Sequence, residues 1–172
     1  MTTSSDPIFQ RFVWVIPNRL ARSSAPHYTG NDESQNMDDA AIEYLVNQGI
    51  NNVISLNHFP LTDGGLQRRS IKYLHLPVAD FTAPTIYQLR QAYESYLPAQ
   101  RTTLVYCRYG QGRTGTVISA FMLLSGNQLT HNDYLELGVE RQEQIDALDE
   151  LAKEIEISDG DIRDEKNVKD EL

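Results

Sequence analysis

The feature that most constrains this chain is the run Leu104-Val105-Tyr106-Cys107-Arg108-Tyr109-Gly110-Gln111-Gly112-Arg113-Thr114-Gly115, with an apolar stretch over residues 117–124 behind it. Leu104, Val105 and Tyr106 read as a short apolar strand. The glycines and polar residues read as a loop, and the apolar stretch as a helix ending near Gly126. A strand that feeds a glycine-bearing loop and then a helix brings backbone N–H groups and the positive end of the helix to one point. Such a point suits an anion of phosphate size.

The rest of the chain is consistent with that layered arrangement. Residues 12–16 are apolar, β-branched and aromatic and suit a strand ended by Pro17, whereas residues 18–30 read as loop. Asp38 or Asp39 can cap a helix that has Ile42, Leu45 and Val46 on one face and Gly49 at its end. Residues 51–56 predict a buried strand, and residues 71–76 alternate as a strand does before Pro77. Thr85 can cap a helix with Ile86, Leu89, Ala92, Tyr93 and Tyr96 at helical spacing, stopped by Pro98. Further helices are expected over residues 131–142 and 144–157. Strands alternating with helices predict an α/β fold: a central, mainly parallel sheet of about four to five strands, flanked by helices.

With 172 residues, one domain over residues 1–157 can bury a sizeable core. Residues 158–172 are acidic and poor in large apolar side chains, and are expected to be a disordered tail. The net charge of −9 argues against nucleic acid and anionic lipid as partners. No apolar run approaches the length of a membrane span. The start, MTTSSDPIFQRF, lacks the basic and apolar regions of a secretion signal, so a reducing intracellular compartment such as the cytoplasm is expected. The closing Lys169-Asp170-Glu171-Leu172 spells a lumenal retrieval signal, read here as coincidence. We expect a monomer without stable membrane association.

Cys107 is the only cysteine, so it is either an inert core thiol or a reactive nucleophile. Its neighbours favour the nucleophile, since thiols at helix N-termini and beside cations ionise readily. Arg113 follows six positions later, and a loop curled around an anion brings its guanidinium back beside the sulfur to grip two oxygens bidentately. Arg108, Tyr109, Gly110, Gln111, Gly112 and Arg113 together form the expected phosphate cradle, in which the glycines reach φ values closed to other residues. Thr114 can donate its hydroxyl to the sulfur and stabilise the departing thiolate. Asp80, on a loop after a strand and before Pro84, is the best-placed carboxylic acid to protonate a leaving oxygen and then to deprotonate the attacking water. As a bare loop carboxylate it would instead cap a turn, as Asp63 in Thr62-Asp63-Gly64-Gly65 is expected to do. His27, His58, His75 and His131 lack metal-ligand spacing.

The run from Val105 to Gly115 resembles the signature loop of the cysteine-dependent protein tyrosine phosphatase superfamily, and the size of the chain resembles its small atypical dual-specificity members. The resemblance implies Cys107 as nucleophile, Arg113 as phosphate ligand and Asp80 as general acid, with no metal or organic cofactor. It extends over roughly residues 12–151. Trp14-Val15-Ile16-Pro17-Asn18-Arg19-Leu20-Ala21-Arg22-Ser23-Ser24 is similar to the family's opening strand and first loop, and Leu76-Pro77-Val78-Ala79-Asp80-Phe81 to its acid loop. By that likeness Arg22 and Ser23 support the signature loop or touch substrate. Two departures stand out. Tyr106 replaces the histidine usual before the cysteine, removing one contributor to thiolate stability, and the acid loop lacks the tryptophan of the larger tyrosine-specific enzymes. Gln144 and Asp146 both match loosely the polar residue that orients the hydrolytic water.

These readings predict a phosphomonoester hydrolase acting on phosphoprotein, with phosphotyrosine preferred and dual specificity allowed. An inositol phosphate or phosphoinositide phosphatase is the alternative: Arg108 adds a positive charge, but the loop has no lysine and the chain is acidic. A catalytically inactive phosphate-binding module would usually lack the cysteine, the arginine or the acid, and all three are present. A thiol-redox enzyme would need resolving thiols that a single-cysteine chain lacks. An exposed, ionised Cys107 would be open to peroxide, with no second cysteine to protect it.

Overall fold

Five strands form one sheet: β1 (Val13–Ile16), β2 (Leu20–Ser23), β3 (Asn52–Ser55), β4 (Lys72–His75) and β5 (Thr103–Tyr106), in the order β1-β2-β5-β3-β4. The structure, a computed structural model, describes residues 7–31 and 34–170, the last ten by backbone alone. The first six residues and the final Glu171-Leu172 therefore lie outside it, and with them half of the opening MTTSSDPIFQRF and the end of the retrieval-like tetrapeptide. β1 pairs with β2 antiparallel, and every other neighbour is parallel. The helices are α1 (Asp39–Asn47), α2 (Gly65–Arg68), α3 (Ile86–Tyr96), α4 (Gly112–Leu124), α5 (His131–Glu136) and α6 (Gln142–Asp170). Among the described residues no helix is long and apolar enough to cross a membrane.

The two central strands, β3 and β5, are buried along their whole length, as strands covered on both faces must be. Successive side chains point to opposite faces, and the cores divide accordingly. Val53, Leu104 and Tyr106 pack with Ile42 and Leu45 of α1 and Leu66 of α2. Ile54 and Val105 pack on the other face with Leu89 of α3, Val117 and Phe121 of α4 and Leu148 and Leu151 of α6. The alternation continues one residue beyond β5, so Cys107 falls on the α4 side.

The helix signals act where the sequence has them. Thr85 and Gln88 form a reciprocal capping box at α3, and Gly49 ends α1 in the left-handed region at φ +76°. Four differences from expectation have local causes. Residues 20–23 form β2, not loop, because a four-residue strand containing arginine and serine carries too little alternation to stand out. The single-turn α2 follows Asp63, whose carboxylate accepts the Gly65 N–H at 3.1 Å. The helix expected over 131–142 stops at Glu136, because Gly138 takes φ +108°. Finally, α6 runs to Asp170, where composition led us to expect a disordered tail. The segment contains no proline to interrupt the helix.

Asp38 caps α1: its carboxylate accepts the Ala41 N–H at 2.9 Å and faces His27 Nε2 at 3.0 Å. The Ala41 N–H is the main cause of a pKa below the usual carboxylate value; burial opposes the shift and His27 adds to it. A depressed carboxylate stabilises the fold above its unfolded pKa and loses that contribution as pH falls through the folded value. Asp38→Ala is therefore expected to cost about 1 kcal/mol in urea unfolding at neutral pH. The gap from wild type should narrow as the pH drops below 3.8; a gap that stays constant into strong acid would show that the charge plays no part.

Candidate active site

All four parallel strands point their C-terminal ends to one side of the sheet, and the residues singled out from the sequence gather there. Cys107 leaves β5 into the core beneath α4 and is 2% exposed. The β5 alternation carries this side chain inward, so it lacks the exposure that ready attack by peroxide would need. Its Sγ accepts the Gly110 N–H at 3.3 Å, so the chain curls back over the sulfur within three residues. Gly110 makes the curl possible: it has φ +95°, and a Cβ there would lie 2.6 Å from the Ser23 carbonyl. No side chain caps α4, whose first helical bond is Gly115 N–H to the Gln111 carbonyl at 2.6 Å. The leading N–H groups of α4 are thus without intrahelical partners and directed at the loop, a favourable end for an anion.

Arg113, on the first turn of α4, is also 2% exposed. Its Nη1 donates to the Val78 carbonyl at 2.8 Å and the Leu56 carbonyl at 3.3 Å, and its Nη2 meets Asp80 Oδ1 at 3.2 Å. The other carboxylate oxygen, Asp80 Oδ2, meets Arg108 Nη1 at 3.0 Å. Asp80 is thus bridged between two guanidinium groups while its Oδ1 also accepts the Phe81 N–H at 3.1 Å. A tight turn follows. Phe81 sits at φ +64°, and the Thr82 hydroxyl donates to the Ala79 carbonyl at 2.6 Å.

The remaining candidates divide. Arg22 supports the loop: it donates to the carbonyls of Gly110 at 3.1 Å and Gln111 at 3.4 Å, and to that of Leu137. Burial lowers the Arg22 pKa from the usual arginine value, and its electrostatic interaction with Cys107 opposes that shift. Ser23 contributes its backbone, packed against Gly110, whereas its hydroxyl turns to the Ser24 carbonyl at 2.9 Å. Thr114 Oγ1 is buried and, among the described residues, has no hydrogen-bond partner, the Cys107 sulfur included. Tyr109 is exposed and carries the Arg11 guanidinium over its ring at 3.5 Å; Arg11 Nε also donates to the Tyr109 carbonyl at 2.9 Å. Arg11 was invisible in sequence, having no pattern to mark it. Tyr106 faces the opposite core, its hydroxyl donating to Gln35 Oε1 at 3.0 Å, and burial pushes its pKa well above the usual tyrosine value.

Gln144 and Asp146, which sequence could not separate, occupy different places. Asp146 accepts from Gln142 on an exposed face, at 2.8 Å. Gln144 is fully buried and reaches the acid loop through the Thr82 carbonyl at 3.1 Å. The histidines take local partners: His27 pairs with Asp38, His75 with the Asn57 carbonyl at 2.7 Å, and His131 with Asp149 at 2.8 Å. Among the described residues no group of three or more histidine, cysteine or acidic side chains could hold a metal ion.

Known proteins are similar to this chain in sequence or fold. The family described as "PTP-SAK: Swiss Army Knife protein, DSP-PTPase phosphatase domain" matches residues 9–167. "Dual specificity protein phosphatase CDC14C" of Homo sapiens is 27% identical over 118 residues, which cover 64% of this chain and 25% of that protein. The chain thus spans about a quarter of the length of the curated relatives it matches. The crystal structure of Tk-PTP in the active form superposes with a TM-score of 0.63 and 27% identity, covering 78% of this chain and 92% of that one. PTPMT1 in complex with PI(5)P shares the fold at 17% identity and a TM-score of 0.66, covering 82% and 94%. So does the core catalytic domain of the PP-IP phosphatase SIW14 from S. cerevisiae, at 19% and 0.64, covering 84% and 87%. The chain therefore belongs to the PTP-SAK family, whose DSP-PTPase domain is an atypical dual-specificity phosphatase of the cysteine-dependent superfamily.

Proposed function

We propose that this phosphatase hydrolyses phosphomonoesters in two steps through a phosphocysteine on Cys107. The observation that carries the reading is the convergence of three groups from two parts of the chain: the Cys107 sulfur under its loop and the buried Arg113 guanidinium at that loop's end, and the Asp80 carboxylate, from the loop after β4, 3.2 Å from the guanidinium. Asp80 occupies the face of Arg113 that phosphoryl oxygens would take. When substrate arrives, its oxygens replace the carboxylate on Arg113 and accept from the leading N–H groups of α4.

In the first step the Cys107 thiolate attacks phosphorus and the bond to the leaving oxygen breaks, while Asp80, as the acid, protonates that oxygen. In the second, water attacks the phosphocysteine, Asp80 takes its proton, and the S–P bond breaks to return the thiolate. The Thr114 hydroxyl, buried and without a partner, is available to donate to the sulfur as it departs. Arg22 holds the loop closed behind the sulfur and adds positive charge there.

Phosphoprotein is the substrate class we favour, with phosphotyrosine preferred and dual specificity allowed. The exposed Tyr109 ring, held by Arg11, offers a wall beside the loop for an aromatic ester. Inositol phosphates or phosphoinositides are the second reading, favoured by the Arg108 cation next to Asp80 and by fold neighbours described with PI(5)P and as a PP-IP phosphatase. The lysine-free loop and the net charge of −9 weigh against it. An inactive binding module is disfavoured by the presence of cysteine, arginine and acid together.

Hydrolysis of aryl phosphates in the presence of EDTA tests the mechanism, and a panel of phosphopeptides and phosphoinositides ranks substrates. Cys107→Ser should be inactive. Asp80→Asn should lose about 10²–10⁴-fold on phenyl phosphate, a poor leaving group, and much less on p-nitrophenyl phosphate. A Cys107→Ser enzyme as active as wild type would sink the assignment of the nucleophile.

Arg113→Lys keeps the charge but loses the planar fork that reaches two carbonyls and a phosphoryl group at once. Its kcat/KM should fall about 10–100-fold, the worth of one charged hydrogen bond. Wild-type kcat/KM in this variant would show that bidentate geometry is not used.

A further inference from the structure

A buried amide must satisfy both its ends, and Gln144 does so by joining two segments that are far apart in sequence. Its Oε1 accepts the N–H groups of Glu140 at 3.0 Å and Arg141 at 3.2 Å, at the entrance to α6. Its Nε2 donates to the Thr82 carbonyl, two residues past Asp80. Both ends of this side chain are engaged with backbone groups of the protein. It is a tie between α6 and the acid loop.

A second contact links the same two segments. The Arg141 guanidinium lies 4.4 Å from the centre of the Phe81 ring, and Phe81 is the left-handed residue directly after Asp80. The segment before α6 also rests on the signature loop. Arg22 joins the Leu137 carbonyl to those of Gly110 and Gln111, and a Cβ on Gly115 would lie 2.5 Å from the Leu137 carbonyl oxygen. Residues 137–144 are therefore held against the phosphate cradle on one side and the acid loop on the other.

We propose that Gln144 is a positioning residue that sets the place of Asp80 relative to Cys107 through the Thr82 carbonyl, and thereby determines how well the enzyme handles poor leaving groups. The inference rests on the reading of Asp80 as general acid. A residue that only capped α6 would, when replaced, lower stability or activity alike for every substrate. A residue that places the acid acts where protonation of the leaving oxygen matters, and acts only while Asp80 can supply the proton.

The test is kcat/KM of the full chain across aryl phosphates from 2,4-dinitrophenyl to phenyl phosphate. Wild type, Asp80→Asn, Gln144→Met and the double variant are compared, with unfolding midpoints measured in parallel. Gln144→Met preserves volume and removes both the donor to Thr82 and the acceptor that holds the start of α6. It should lose about tenfold on phenyl phosphate, the worth of one hydrogen bond, with little loss on the dinitrophenyl ester. In the Asp80→Asn background the same change should cost nothing further, since coupled residues are not additive. Equal loss on every ester, or full additivity with Asp80→Asn, would overturn the proposal. If Asp80→Asn itself shows no leaving-group dependence, the acid assignment falls and the proposal with it. Should Gln144→Met fail to fold, Arg141→Ala decides, because Arg141 is exposed and loosens the same loop: a steeper leaving-group dependence supports the tie, and an unchanged one overturns it.

Discussion

A guanidinium almost wholly removed from water has to find acceptors inside the protein, and Arg113 finds them on segments distant in sequence. It takes the Leu56 carbonyl at the end of β3, the Val78 carbonyl beyond β4, and the carboxylate of Asp80. An unpaired buried charge costs several kcal/mol, so these segments are bound to the arginine as firmly as it is to them. The position of the acid relative to the sulfur is in this sense a consequence of burying one cation on the first turn of α4.

That burial is possible because the sheet is parallel at its centre. β2, β5, β3 and β4 run the same way, so Arg22, Cys107, Leu56 and the loop with Asp80 all emerge at one end. The strand alternation then sorts side chains between two cores. It directs Tyr106 to the α1 face, toward Gln35, and Cys107 to the α4 face, toward its own loop. The tyrosine in place of the family's usual histidine is therefore a packing residue on the far side of the sheet from the sulfur's own core.

The two loops that meet at the site are held by different means. The signature loop depends on close backbone approach: Gly110 against Ser23, Gly115 against Leu137, with Arg22 spanning carbonyls on either side. The acid loop depends on side chains reaching back from the start of α6, Gln144 to Thr82 and Arg141 to Phe81. Contacts of both kinds reach residues 137–144, so one short stretch running from the end of α5 into the first turn of α6 touches both loops.

Signals that act within a few residues were legible in the chain alone. Alternation marked the central strands, the threonine and aspartate caps and Gly49 marked helix ends, and the spacing of Cys107, its glycines and Arg113 marked the loop that curls over the sulfur. What only the tertiary structure decided were contacts made by single polar residues, which have no periodicity to betray them. It gave Arg22 its carbonyl partners by pairing β2 beside β5, brought Arg11 onto Tyr109, buried the Cys107 side chain, and gave Gln144 and Asp146 different surroundings. Local chemistry dictates which elements form. Which distant donor meets which acceptor depends on the order of strands in the sheet, and that order is settled by burying the whole chain at once.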